Sequence, residues 1–238
     1  MKYVKLIMGV IGAWMVCHTA QAQYFSTNQG IELSYVTYDE AGQSISNETV
    51  TVTNVRKQGG KTWAMCFTKI VNNKATNNTS YTLYNWNYDG SKSVCAEDLV
   101  YGSYIASDSD PAKYNNAIRQ ALLEDKKFKG DNSFTLKDNA KAGESMPDYS
   151  YSYLNGVLKN EITVSGAAYM GEEQVGTTAG QFDCLKISYL KRTKVVLKTT
   201  TVRVTEWYAR GIGLVKSESY DMKGKPAGKV LLVKMTEK

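Results

Sequence analysis

The sequence predicts an all-β protein: an antiparallel, strongly curved sheet or partly open barrel with one covering α-helix. Three observations carry that expectation. Apolar residues alternate with polar ones over many short stretches, the period of strands with one buried face. Compact turns such as Asp39-Glu40-Ala41-Gly42, Gln58-Gly59-Gly60, Asp89-Gly90 and Asn155-Gly156 separate those stretches, and short loops mean antiparallel pairing. One segment alone carries a clear helical period.

Taken in order, residues 1–22 read as a cleavable secretory signal peptide. Lys2 and Lys5 precede an apolar run from Leu6 to Val16, and Ala20-Gln21-Ala22 is a small-x-small cleavage site before Gln23. The run is too short to span a bilayer, which needs about 20 apolar residues. Lipidation at Cys17 is the lesser alternative, because Val16 is a poor residue before a lipidated cysteine. No later stretch approaches membrane-spanning length. The remaining 216 residues, 23–238, are expected to form a single antiparallel β domain with a helical insertion near 111–127.

The strands follow. Ile31, Leu33 and Tyr35 share one face, as do Val50 and Val52. Trp63, Met65 and Phe67 lie opposite Cys66 and Thr68. Tyr81 and Leu83 begin the next strand. Tyr149, Tyr151 and Tyr153 alternate with Ser150 and Ser152, and Leu185, Ile187 and Tyr189 with Lys186 and Ser188. Val202 and Val204 alternate with Arg203 and Thr205, and Leu231, Val233 and Met235 close the chain. These runs predict eight to ten strands. Asp110 as cap, Pro111 at the first turn and Gly130 after the end frame the helix, with Tyr114, Ile118 and Leu122 on one stripe. Tyr38-Asp39 to Gly42 is echoed by Tyr220-Asp221 to Gly224, which repeated hairpin chemistry can produce without duplication.

Composition excludes several enzyme classes. The only histidine, His18, lies in the expected signal segment. Ser-His-Asp and Cys-His nucleophile systems and histidine-ligated zinc sites therefore cannot be built from the mature chain. No cofactor is expected. Removing Lys2 and Lys5 lowers the formal net charge from +6 to +4, which is mild and spread along the chain, so nucleic acid is not an expected partner. Asp108-Ser109-Asp110 lacks the further ligands of a calcium loop and fits a helix start better. Glu172, Glu173 and Asp183 are expected to be solvated acids. Lys186, Lys191, Arg192, Lys194, Lys198 and Arg203 form the strongest charge run. Its expected role is a wet strand face that blocks edge pairing, with an anionic lipid or glycan surface as the alternative.

The C-terminal half resembles a known family. Gly176-Thr177-Thr178-Ala179-Gly180-Gln181-Phe182-Asp183-Cys184-Leu185-Lys186-Ile187 is similar to its TPAGTFDCYKI stretch. The run from Glu206-Trp207-Tyr208 to Leu214-Val215 is similar to EWYAKGVGMV, and Ser219-Tyr220-Asp221 to Lys225 is similar to TYDKKGK. Ala142-Gly143-Glu144-Ser145-Met146-Pro147-Asp148 resembles VGQTLPD. These are the periplasmic TapB-like proteins of Bacteroidetes, related to a domain-of-unknown-function group. The resemblance implies a partly open antiparallel barrel, a periplasmic address and no catalytic residues. The position of Cys184 in it, together with export, implies a Cys95–Cys184 disulfide, with Cys66–Cys95 as the alternative.

The function expected on these grounds is a non-enzymatic exported envelope protein of the periplasm. Its curved sheet binds an apolar or amphipathic small molecule; the alternative is a structural or protein-interaction module with no small ligand. A histidine-free hydrolase ranks third. Trp63, Tyr149, Tyr151, Tyr153 and Trp207 are the candidate ligand-binding residues, because aromatic rings with polar edges suit a pocket mouth.

Overall fold

The computed structural model describes residues 22–74, 79–98, 129–155 and 158–237. The expected signal segment, the helix near 111–127 and Asp108-Ser109-Asp110 lie outside the described residues. Among those residues every regular element is a strand. They are β1 (Glu32–Tyr38), β2 (Ser44–Gln58), β3 (Lys61–Asn72), β4 (Thr79–Tyr88), β5 (Lys92–Asp98), β6 (Lys129–Gly130) and β7 (Ser133–Lys137). Then come β8 (Tyr149–Asn155), β9 (Leu158–Thr177), β10 (Gly180–Val195), β11 (Lys198–Ala209), β12 (Gly213–Asp221) and β13 (Pro226–Thr236).

All pair antiparallel in one sheet, ordered β6-β8-β9-β10-β11-β12-β13-β1-β2-β3-β4-β5-β7. Thirteen strands exceed the eight to ten that alternation predicts. Part of the excess is β6 and β7, of two and five residues. Part is β9, whose alternation is broken by bulges. Asn160, Ile162 and Val164 are buried at even positions, then Ala167 and Tyr169 at odd ones. The phase flips at Gly166, where φ is +61° and the pairing with β10 shifts. A bulge inserts one residue and reverses which side chains face inward. In β13 the buried residue is Leu232, not Leu231 or Val233.

The two edge strands, β6 and β7, are separated in sequence only by Asp131 and Asn132. One bent segment thus spans both edges of a sheet that curls nearly into a barrel. Gly130 permits this: its φ is +101°, and a Cβ there would overlap the Ser150 carbonyl oxygen. The seam is stitched from β9. The Tyr169 hydroxyl donates to the Thr135 carbonyl (2.8 Å) and accepts from the Lys137 N–H (3.1 Å). The Met146 N–H donates to the Ala167 carbonyl (2.7 Å), and the Tyr169 N–H donates to the Glu144 carbonyl (2.9 Å). These bonds satisfy edge groups that would otherwise recruit another strand.

Antiparallel order puts the turns at 39–43, 196–197 and 222–225 at one end of the barrel, and those at 59–60, 89–91 and 210–212 at the other. The two echoed turns share one device. Asp39 Oδ1 accepts from the Ala41 and Gln43 N–H groups, and Asp221 Oδ1 accepts from those of Lys223 and Lys225. The end with the 210–212 turn is sealed by residues 23–26, all buried. The Tyr24 N–H donates to Ser93 Oγ (2.9 Å) and the Gly211 N–H to the Gln23 carbonyl (2.7 Å). Arg210 lies over the Tyr24 ring, 4.6 Å from its centroid, and donates to the carbonyls of Ala22 and Asp138. Asp138 Oδ2 accepts from the Tyr88 hydroxyl (2.6 Å). This end is the floor; no described segment crosses the opposite end, the open end of the described sheet.

A candidate ligand cavity inside the curved sheet

The sheet encloses a cavity of about 390 Å³. This is tens of times the volume of one water and within the range of small-molecule sites. Its floor is aromatic. Phe25 stacks on Trp86 (ring centroids 5.4 Å), Trp86 meets Phe134 edge-on (5.7 Å), and Phe134 contacts Tyr208 (5.7 Å). Leu33, Val52, Ile162, Val164 and Ile187 form apolar walls. Each comes from the inward set of its strand, so the same alternation that makes the sheet fold makes the wall. Tyr35, Glu48, Tyr149, Tyr151, Tyr189 and Lys191 supply the polar lining. In β1 and β10 the succession Leu33 then Tyr35, and Ile187 then Tyr189 and Lys191, runs toward the open end.

One carboxyl stands within the apolar part. Glu206 lines the cavity at the register position of Ile187. It accepts from the Tyr208 hydroxyl (2.9 Å), and Tyr189 and Ser217 are its further hydrogen-bond partners. Burial raises its pKa above the ordinary 4.5; the tyrosine hydrogen bonds and nearby Lys191 act against that rise. Burial likewise pushes the Tyr35, Tyr189 and Tyr208 hydroxyls well above 10, with Glu206 adding to the last two, so all three stay protonated donors. The Tyr35 hydroxyl is already committed to the Leu214 carbonyl (2.8 Å).

The structure divides the five expected ligand residues. Tyr149 and Tyr151 line the cavity. Tyr153 lies outside the lining and stacks on Tyr151 at 6.3 Å. Trp63 is half-buried on the face opposite Ala64 and Cys66, away from the cavity. Trp207 also sits on the other face, since its neighbours Glu206 and Tyr208 point inward; Lys216 and Lys186 lie over its ring at 4.4 and 5.2 Å. Alternation sorts residues into two sets but does not say which set is inward when both hold aromatics. Glu206 and Tyr208 escaped notice, although extending the alternation of Val202 and Val204 reaches both. Phe25 precedes the first strand, where no periodicity points to it.

The expected disulfide is not formed: Cys66, Cys95 and Cys184 are buried free thiols. Cys66 and Cys95 line the cavity on β3 and β5, with β4 between them. Two strand spacings come to roughly 9.5 Å, beyond the Cα separation of about 7 Å that a disulfide bridges. Cys184 pairs with Ala209, on the face away from Leu185 and Tyr208. Burial pushes the Cys66 and Cys184 thiols up to about 12, so neither supplies a thiolate nucleophile at neutral pH. Among the described residues, no cluster of three or more His, Cys, Asp or Glu side chains could hold a metal ion.

No curated protein matches the chain. Two solved structures are similar in fold. One is a candidate exported protein with a YmcC-like fold from Bacteroides fragilis, 18% identical, with a TM-score of 0.68 over 90% of this chain and 98% of that one. The other is a candidate lipoprotein from Parabacteroides distasonis, 16% identical, with a TM-score of 0.67 over 92% of this chain and 100% of that one. A family model, DUF3108-like, matches residues 28–232. That span runs from just before β1 into β13, so the chain belongs to the DUF3108-like family.

Proposed function

Taking membership of the DUF3108-like family as the premise, we propose that this protein is a non-enzymatic, exported envelope protein that holds an amphipathic small molecule in its curved sheet. The observation that carries the reading is the cavity itself: apolar walls and an aromatic floor, with hydrogen-bonding groups gathered around Glu206, Tyr189 and Lys191. An apolar tail gains by leaving water for such walls, at about 25 cal/mol per Å². A polar head that can donate to Glu206 or accept from the tyrosines avoids an unpaired buried group. Binding is reversible burial, with no bond made or broken. The expected signal peptide, and the descriptions of one structural relative as an exported protein and of the other as a lipoprotein, support an envelope address. The narrower likeness to TapB-like periplasmic proteins, carried by Gly176 to Ile187 and Glu206 to Val215, belongs to the same proposal.

Native mass spectrometry of protein isolated from its own envelope, with titration of fatty acids and membrane lipids, tests this. One bound amphiphile is expected. Tyr151→Ala should weaken it by about tenfold, the size of one lost buried contact. A protein that binds none of these molecules is instead an interaction module.

A further inference from the structure

We infer that the open end of the barrel docks on an anionic lipid surface, with the Val196-Leu197 turn as its apolar tip. Five of the exposed large apolar side chains cap strand ends on this side: Val71, Leu158, Val196, Leu197 and Met222. Leu197 is 95% exposed, so its side chain stands almost wholly in solvent, and Val196 beside it is 53% exposed. The five are spread over the ends of β3 and β9 and the turns at 196–197 and 222–225 rather than along one strand. Such tips can each enter the boundary between headgroups and acyl chains, whereas a flat protein partner prefers a contiguous face.

Charge selects the partner. Lys159, Arg192, Lys194, Lys198 and Arg203 flank the tip on β9, β10 and β11, while Lys191 between them faces the cavity. Residues 158–161 and 191–205 contain one acid, Glu161, which pairs with Lys159 (2.5 Å) and Lys194 (3.4 Å). Five cations against one carboxylate leave a positive collar around an apolar tip, the pattern that anionic headgroups attract. The backbone adds a separate observation. Val196 has φ of +54°, a left-handed conformation that a β-branched residue resists and that two-residue hairpins usually give to Gly or Asn. The side chain is 53% exposed, so packing among the described residues offsets only part of that strain. Strain kept at an exposed apolar turn points to a use outside the fold.

This docking does not depend on the cavity being filled, so the two readings fail separately. The full mature chain is mixed with vesicles of neutral phosphatidylcholine, or of phosphatidylcholine with a quarter phosphatidylglycerol, and sedimented. Binding to the anionic vesicles should be at least about tenfold tighter and should fall as salt rises. Leu197→Ser and Lys198→Glu should each weaken it several-fold, and both sites are exposed enough to leave folding intact. Met170→Ser removes an exposed apolar side chain in β9 away from the tip and should change nothing. The inference is overturned by absent vesicle binding, by equal binding to neutral and anionic vesicles, or by equal loss in the Met170 and Leu197 variants.

Discussion

At the floor, Tyr24 and Phe25 are each 1% exposed, Ser93 and Gly211 hold the backbone of Tyr24 and Gln23, and Arg210 ties Tyr24 to Asp138. At the open end, Leu197 and Val196 project into solvent from a strained turn flanked by cations. The same antiparallel sheet therefore ends in two different ways. The floor satisfies nearly every group it holds, which is what a closed end of a barrel needs to stay dry. The opposite end uses Asp39 and Asp221 to hold its turns but leaves Leu197 almost wholly exposed beside more cations than acids. The difference separates stability from function: changes at the floor should cost folding energy, and changes at the rim should cost binding while leaving folding unharmed or improved.

The largest effect is expected from Phe25→Ala. Phe25 fills the space between Trp86 and the cavity, and removing a buried phenyl ring leaves a void that close-packed neighbours only partly fill. The loss should be about 3–5 kcal/mol in urea unfolding. A loss below about 1 kcal/mol would show that residues 23–26 merely rest on the floor, and the contrast between the two ends would collapse.

How much of this was visible in the sequence depends on how each part is encoded. Period-two alternation announces strands such as Tyr149 to Tyr153 directly, because it is the geometry of a pleat. Of the three tyrosines it singles out there, Tyr149 and Tyr151 line the cavity and Tyr153 does not. It misplaced Trp63 and Trp207, because both faces of β3 and β11 carry large side chains and only the curl of the whole sheet decides which is concave. The seam was not legible at all: Tyr169 bonds to Thr135 and Lys137, more than thirty residues away. Nor was the floor, since Gln23-Tyr24-Phe25-Ser26 is too short for any period and is positioned by Ser93, Arg210 and Gly211. The disulfide failed for a related reason. Spacing along the chain shows neither that Cys95 faces the cavity while Cys184 lies on the other face of the sheet, nor that β4 lies between Cys66 and Cys95.

Glu206 lies between the two regimes, and its titration sharpens the comparison. Its folded pKa is raised by burial above the unfolded 4.5. The folded state therefore holds the proton more tightly, and stability falls as pH rises from the unfolded value to the raised one. Glu206→Gln removes that dependence and keeps a hydrogen-bonding side chain of the same shape. Thermal unfolding across pH 4 to 8 should show the variant gaining on the wild type as pH rises, and the gain shrinking toward the acid end. A difference independent of pH would mean that the carboxyl is solvated through the cavity, and that the wall around it is not apolar in effect.

The smallest effect, and the one of opposite sign, belongs to Val196→Gly. A valine held at φ of +54° carries strain of about 1–3 kcal/mol. Glycine removes it but adds about 0.5–1 kcal/mol of backbone entropy to be lost on folding. The half-exposed valine side chain gives up little packing when it is deleted. The balance is a net gain of about 1 kcal/mol, seen as a rise of roughly 2–4 °C in Tm for a chain of this length. The same variant should bind anionic vesicles less well, since its apolar tip is halved. A rise in stability together with a loss of membrane binding would mark the turn as a place where folding energy is given up for contact with a surface. A fall in stability would instead mean that Val196 packs on its neighbours, and the strain at the turn would then belong to the fold, as the aromatic cage at the floor does.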